Sequence, residues 1–347
     1  MTWLTWRQLR AQAVVIYAAV AVLAVTLALT GGQLAELARV SGKDFFQLFT
    51  TDRNDTGVYY LGYMAVMALP PIIGVFWGAP LVAREFEAGT HRLAWTQTVT
   101  RTRWLVTKAG LTGLAAIAAA AALSLIVTWW CGPIDTAVNS GHAGPQFFGL
   151  PRVSPAVFDA RGIAPIGYTA FAFALGVTAG AVIRRTVPAM AVTLAVFIAV
   201  QIAVPNLVRP HLAPAHLTTT ITAKNLSGML ARMGPDGPVG PVRNLTVDIG
   251  EPGAWIVSNQ TVDAGGRVVS ALPSWVSGCV PPPPRPGSSG PPAGDPGCFA
   301  RLARLGYRQR VTFQPARRYW AFQAYETAIF LGLALVLAGL TLWWIRR

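Results

Sequence analysis

The chain has 347 residues, 53% of them hydrophobic and only 12% charged, and carries a formal net charge of +14. A soluble domain is about 25% charged, and here the apolar residues gather into runs of about 20, the length that crosses a bilayer, so a soluble globular class is excluded. The basic residues are scattered through loops, without zinc-finger spacing, an RNA-binding strand motif or a basic helix. Their counter-charges are therefore anionic membrane lipids or acidic groups on a partner protein, and not nucleic acid.

Residues 1–12 place Trp3 and Trp6 beside Arg7 and Arg10. That mixture suits the headgroup layer, either as a short interfacial segment or as an ordinary helix end with snorkelling arginines. Residues 13–30 form the first span; the run ends in Thr-Gly-Gly-Gln without a small-x-small cleavage site, so it reads as a retained helix. A polar connection of mixed charge follows over 31–57. Residues 58–83 form the second span, with Pro70 and Pro71 inside it. Proline there removes backbone hydrogen bonds, and the expected result is a kink, either harmless or shaping a cavity between subunits.

Residues 84–104 are a charge-dense loop, and 105–130 a third span whose alanine-rich middle allows close helix approach. Cys131 reads as a small packing residue at a membrane boundary. Residues 131–162 are a Gly/Pro-rich loop in which Asp135 and Asp159 balance Arg152 and Arg161. Spans four and five, 163–183 and 187–208, are joined by Arg184-Arg185-Thr186 and must form an antiparallel hairpin.

Residues 209–319 are a small domain with predicted strands at 244–249, 255–258 and 307–313 and a proline-rich tract at 281–296. Cys279 and Cys298 bracket that tract. Either they close it as a disulfide, contributing about 3 kcal/mol in an oxidising compartment, or they remain free thiols. Residues 320–347 hold the sixth span and the C-terminal tail.

Charge counting sets the orientation. With both termini inside, the cytoplasmic pieces hold Arg7 and Arg10, then Arg84, Arg92, Arg101, Arg103 and Lys108, then Arg184 and Arg185, then Arg346 and Arg347. The predicted fold class is an all-α polytopic protein of the cytoplasmic membrane, with six transmembrane helices and a small mixed α/β extracytoplasmic domain between helices 5 and 6.

Catalytic chemistry finds no footing. There is no Gly-x-x-x-x-Gly-Lys-Ser/Thr, no His-Glu-x-x-His and no Gly-x-Ser-x-Gly, and the four histidines lack ligand companions, so no catalytic, metal or cofactor residue is predicted. Glu326 stands out near the outer end of span six, about two turns from Arg317 and Arg318. It reads either as one half of an ion pair or as a contact with a substrate or outer gate.

At 84–108 the chain carries Glu85 and Glu87, then Gly89-Thr90, a short amphipathic piece with Arg92, Leu93 and Trp95, then Arg101 and Lys108. This succession resembles the loop between spans two and three of ABC type-2 (ABC-2) permeases, although Thr98 stands where that family has a proline. The stretch 314–323 and Glu326 resemble an actinobacterial subgroup. The resemblance implies a permease subunit of an ATP-binding-cassette exporter, paired with a second permease copy in a homodimer. A separate ABC ATPase subunit would hold ATP and Mg and contact Arg84, Glu85, Glu87, Gly89, Thr90, Arg92, Leu93, Trp95 and Arg101. The apolar spans suggest an amphipathic or hydrophobic cargo. A non-transporting mechanical or signalling subunit is the alternative, and a polytopic membrane enzyme a third.

Overall fold

The computed structural model describes residues 2–89, 100–142, 144, 147–212, 214–234, 237–279 and 297–346. It divides into two compact units: Met1–Arg209 with Ala316–Arg347, and Pro210–Pro315.

The first unit is helical. Helix α1 spans Thr2–Ser41 and is followed by α2, Phe45–Thr51. Helix α3, Arg53–Ile73, runs through a π-helical turn at Gly74–Gly78 into α4, Ala79–Glu87. Next come α5 (Arg101–Trp130), α6 (Gly132–Asn139), α7 (Pro155–Phe158), α8 (Ala164–Ile183) and α9 (Thr186–Ala203). After the inserted second unit, which contains α10 (Cys298–Arg304), the chain returns as α11, Tyr319–Arg346. Among the described residues six helical stretches are long and apolar enough to cross a membrane: Arg10–Thr51, Arg53–Glu87, Arg101–Trp130, Ala164–Ile183, Thr186–His211 and Ala316–Arg346.

One element differs from expectation. The connection predicted over 31–57 is largely helix, because α1 continues to Ser41. Leu34 is buried in register with Leu27, a Glu36–Arg39 pair lies one turn apart on the surface, and the local sequence is rich in helix formers. Pro70 and Pro71 lie inside the second span, as expected. The Gly74 N–H donates to the carbonyls of both prolines, and the helix passes into the π turn.

Glycine explains that turn. Gly74 and Gly78 lie against α8 so closely that a Cβ at either would stand 2.7 Å from the carbonyl oxygen of Ala172 or Phe173. Gly180 answers from α8, where a Cβ would stand 2.5 Å from the Ala79 carbonyl. Backbone-to-backbone contact of this kind is the usual packing device where no hydrophobic effect separates helix from lipid.

Helix α8 is the centre of the unit, buried along most of its length. It runs parallel to Arg53–Glu87 through these glycines and parallel to α11, where Thr178 Oγ1 and Thr341 Oγ1 are 2.8 Å apart. Helix α1 runs parallel to α5: Tyr17 donates to the Ala115 carbonyl at 2.7 Å and Trp130 Nε1 to Thr30 Oγ1 at 2.9 Å. The spans therefore alternate in direction, and the hairpin of α8 and α9 turns within Arg184 and Arg185, Arg184 being left-handed at φ 57°.

The second unit holds a three-stranded antiparallel sheet of order β1-β5-β4, built from Ala215–Thr220, Arg308–Gln314 and Trp255–Val262. A second pair, β2 (Leu226–Gly234) with β3 (Gly237–Val247), is also antiparallel. Val242, Leu245, Val276, Leu302 and Val311 fill its core. Cys279 and Cys298 are joined as a disulfide with Cα atoms 5.5 Å apart. All three expected strands fall in or at the ends of β3, β4 and β5, whereas β1 and β2 lacked a clear alternation.

Candidate functional site

Two constellations of charge lie in the helical unit, at opposite ends of its helices. The first gathers the ends of four elements. At the end of α4, Glu85 is paired with Lys108 on α5, whose ammonium also stands 5.8 Å from the Trp104 ring centroid. Glu87 accepts from Thr186 at the start of α9, 2.6 Å from its hydroxyl and 3.2 Å from its backbone nitrogen, so a carboxylate caps a helix N-terminus. The Arg184 guanidinium lies over the Phe86 ring at 5.4 Å. From α11, the Ile345 carbonyl accepts from Arg101 at 3.5 Å, and Arg346 Nε donates to Thr102 at 3.3 Å.

The structure thus brings Glu85, Glu87 and Arg101 to one end, with Arg84 exposed beside them and Gly89 in a left-handed turn at φ 70°. Thr90, Arg92, Leu93 and Trp95 lie outside the described residues. The two acids expected to face a partner are both engaged within the chain, one on α5 and one on α9.

The second constellation is buried at the other end. Helix α7 and the residues after it, Asp159–Ile163, form an irregular segment packed inside the helices. Such backbone is tolerated within a membrane protein only where neighbours satisfy its polar groups. Here side chains do so. Gln323 on α11 accepts from the nitrogens of Ile163 and Ala164 at 2.9 and 2.7 Å and donates to the carbonyls of Phe158 and Arg161 at 3.2 and 3.0 Å. From α5, Ser124 donates to the Gly162 carbonyl and Thr128 accepts from its nitrogen, both at 2.7 Å. Gly162 has φ 75°, and a Cβ there would stand 2.6 Å from the Gln323 carboxamide.

This segment presents Asp159 to Arg209, at the end of the fifth span. Arg209 is 0% exposed and Glu326 1% exposed. The guanidinium pairs with Asp159 through Nη2 and with Glu326 through Nε at 3.1 Å and Nη2 at 2.8 Å. Its face lies on Phe158, 4.1 Å from the ring centroid. Tyr168 Oη is 2.5 Å from Glu326 Oε1 and 3.0 Å from Asp159 Oδ1, and Gln201 Nε2 donates to Asp159 at 3.2 Å. Burial pushes the Asp159 carboxyl above the ordinary carboxylate range; Arg209 opposes that shift and Glu326 adds to it. Arg209 Nη1 has no hydrogen-bond partner among the described residues. Beside this cluster, Arg161 pairs with Asp135 and donates to Tyr59 Oη at 3.0 Å.

The expected association of Glu326 with Arg317 or Arg318 is corrected: its ion-pair partner is Arg209. Those arginines precede Glu326 by eight or nine residues, about 12–14 Å along a helix, whereas Arg209 meets its carboxylate directly. Asp159 and Arg161, read as balanced loop charges, are buried. Their signal was present: a short charged stretch flanked by Val153, Val157, Phe158 and Ala160, too apolar for a solvated loop.

A family model described as ABC-2 membrane transporter related matches residues 12–209. That match covers five of the six spans, the α4, α5 and α9 residues of the charged end, and Asp159, Tyr168, Gln201 and Arg209 of the buried cluster, whereas Gln323, Glu326, Ile345 and Arg346 on α11 lie beyond it. No curated protein and no solved structure matches the chain.

Proposed function

Because the chain belongs to the ABC-2 membrane transporter related family, we propose that it is the permease subunit of an ATP-driven exporter in the cytoplasmic membrane. A separate ABC ATPase binds at the charged end, the second permease copy completes the pathway, and the cargo is amphipathic or hydrophobic. In this reading the charged end is cytoplasmic. The second unit, inserted between the ends of the fifth and sixth spans remote from it, is extracytoplasmic.

The observation that carries the reading is the wiring of the charged end. Whatever binds the loop after Glu87 pulls on Arg53–Glu87, and Glu85 with Lys108 and Glu87 with Thr186 pass that pull to α5 and α9. The glycine contacts of Gly74, Gly78 and Gly180 pass it to α8, which carries Tyr168 at the buried cluster. A closing ATPase therefore acts on a coupled set of helices, not on a loose loop.

The test is replacement of residues 90–99 by a Gly/Ser linker of equal length in the full chain, leaving Glu85 and Glu87 untouched. Loss of a co-purifying ATPase, with helical content and unfolding temperature retained, supports the proposal. An ATPase that stays bound sinks it.

A further inference from the structure

Between α5, α8 and α11 lies a groove of about 470 Å³. Its lining is apolar and includes the small residues Gly110, Gly113, Ala174, Ala334 and Ala338 as well as Phe173. It extends from Leu105 to Ile117 on α5 and from Leu331 to Leu342 on α11. At 1.5 Å per residue these stretches are about 17–18 Å long, close to the ~15 Å of one leaflet of a bilayer's hydrocarbon core.

The end of the groove nearest the charged face is basic. On α5, Arg103 precedes Val106, Gly110, Gly113 and Ile117 at alternating steps of three and four, so it continues the stripe that lines the groove. On α11, Arg346 follows Leu335, Ala338 and Leu342 at steps of three, four and four, on the same helix face. Both arginines are exposed, and Arg346 Nε reaches Thr102, one residue from Arg103, at 3.3 Å. The nearby carboxylates are engaged elsewhere, Glu85 with Lys108 and Glu87 with Thr186. On α11 the one acid is Glu326, which faces Arg209 at the opposite end. An apolar slot of one leaflet's depth, with two guanidiniums at its headgroup end, has the dimensions and charge of an anionic phospholipid.

We propose that this groove holds one acyl chain of an anionic phospholipid from the leaflet at the charged end, with its phosphate between Arg103 and Arg346. The lipid then wedges α5, α8 and α11 apart at their charged ends and sets the spacing of two helices that the charged end also controls. The proposal rests on the membrane placement of the chain and not on its coupling to an ATPase.

The test is native mass spectrometry of the full-length protein, reconstituted with phosphatidylglycerol or phosphatidylcholine of identical chains. A Cβ at Gly110 meets nothing within 4 Å, so Gly110→Leu starts its side chain from open space at the groove wall. Gly32→Leu, at another open helical position on α1, is the control. The wild type and Gly32→Leu are expected to retain one phosphatidylglycerol in preference to phosphatidylcholine. Gly110→Leu is expected to lower retention of both lipids about tenfold, the factor for roughly two methylenes losing their contacts. The double variant Arg103→Gln/Arg346→Gln is expected to abolish the preference while keeping a lipid. Equal retention of phosphatidylglycerol by the wild type and Gly110→Leu would overturn the proposal. So would a Gly110→Leu chain that keeps its lipid but changes oligomeric state, which would mark the groove as a face for a second copy.

Discussion

Arg209 meets Glu326 across 117 residues of sequence, Nη2 to Oε1 at 2.8 Å, with both side chains buried. A buried pair of this kind is weak evidence of net stabilisation, since desolvation of both charges offsets their attraction. Removing one partner is a different matter, because the other charge is left without compensation. Glu326→Ala is expected to destabilise the helical unit by about 3–5 kcal/mol, and Glu326→Gln, which keeps an acceptor for Arg209, by clearly less. Thermal unfolding in detergent reads the difference. If both variants unfold with the wild type, Glu326 is not the structural partner of Arg209; if Glu326→Gln folds normally yet loses transport, the carboxylate has a role beyond pairing.

Tyr168 has one hydroxyl hydrogen and faces two carboxylate oxygens, at 2.5 Å and 3.0 Å. It can donate to only one of them at a time, and burial with the Glu326 charge nearby favours the protonated form of Asp159. The raised pKa of Asp159 gives this a pH signature. The folded state holds the proton more tightly than the unfolded chain, whose Asp titrates near ~3.9. Stability from this group is therefore fully present below that value and is lost as pH rises through the raised folded pKa. Unfolding temperature measured against pH should fall across this window in the wild type and flatten in Asp159→Asn. An identical profile in the two proteins would refute the assignment.

The glycine contacts predict a sharp size limit. Gly180→Ala sets a Cβ 2.5 Å from the Ala79 carbonyl, backbone that cannot swing aside. A loss of about 1–3 kcal/mol is expected, as for overpacking in a rigid core. Gly32→Ala, with nothing within 4 Å, should be near neutral. Equal unfolding temperatures for the two variants would show that the helices separate more easily than this packing implies.

Glu85 and Lys108 offer a charge swap. Glu85→Lys or Lys108→Glu alone places like charges together in a partly buried site, while the double variant restores a pair. A coupling energy of about 0.5–3 kcal/mol is expected from the double-mutant cycle. ATPase binding that returns with the double variant would make Glu85 a positioning residue; binding that stays lost would make it a contact.

For the second unit, Cys279→Ser or reduction should lower its stability by about 2–4 kcal/mol, since the disulfide closes a 19-residue separation. Thiol labelling of the unfolded protein before and after reduction checks the bond. Full labelling without reductant would mean that the pair is open in the native protein.

The sequence alone determined the number of spans and their alternation, because these depend on a local property, the length of apolar runs and of the connections between them. Three of the strands were legible for the same reason, having turns at their ends. The extension of α1 to Ser41 was not, since polar residues on a helix surface resemble those of a loop until Leu27 and Leu34 are seen to share a buried face. Glu326 could be singled out as an intramembrane acid, but its partner could not. Asp159, Tyr168, Arg209 and Glu326 come from four separate segments, and the burial that gives their charges meaning arises only when α8 packs between its neighbours. Likewise Glu85 and Glu87 read as free carboxylates until Lys108 and Thr186 are brought to them. Local chemistry set which segments cross the membrane; only tertiary packing, by removing water from particular charges, decided which of them pair.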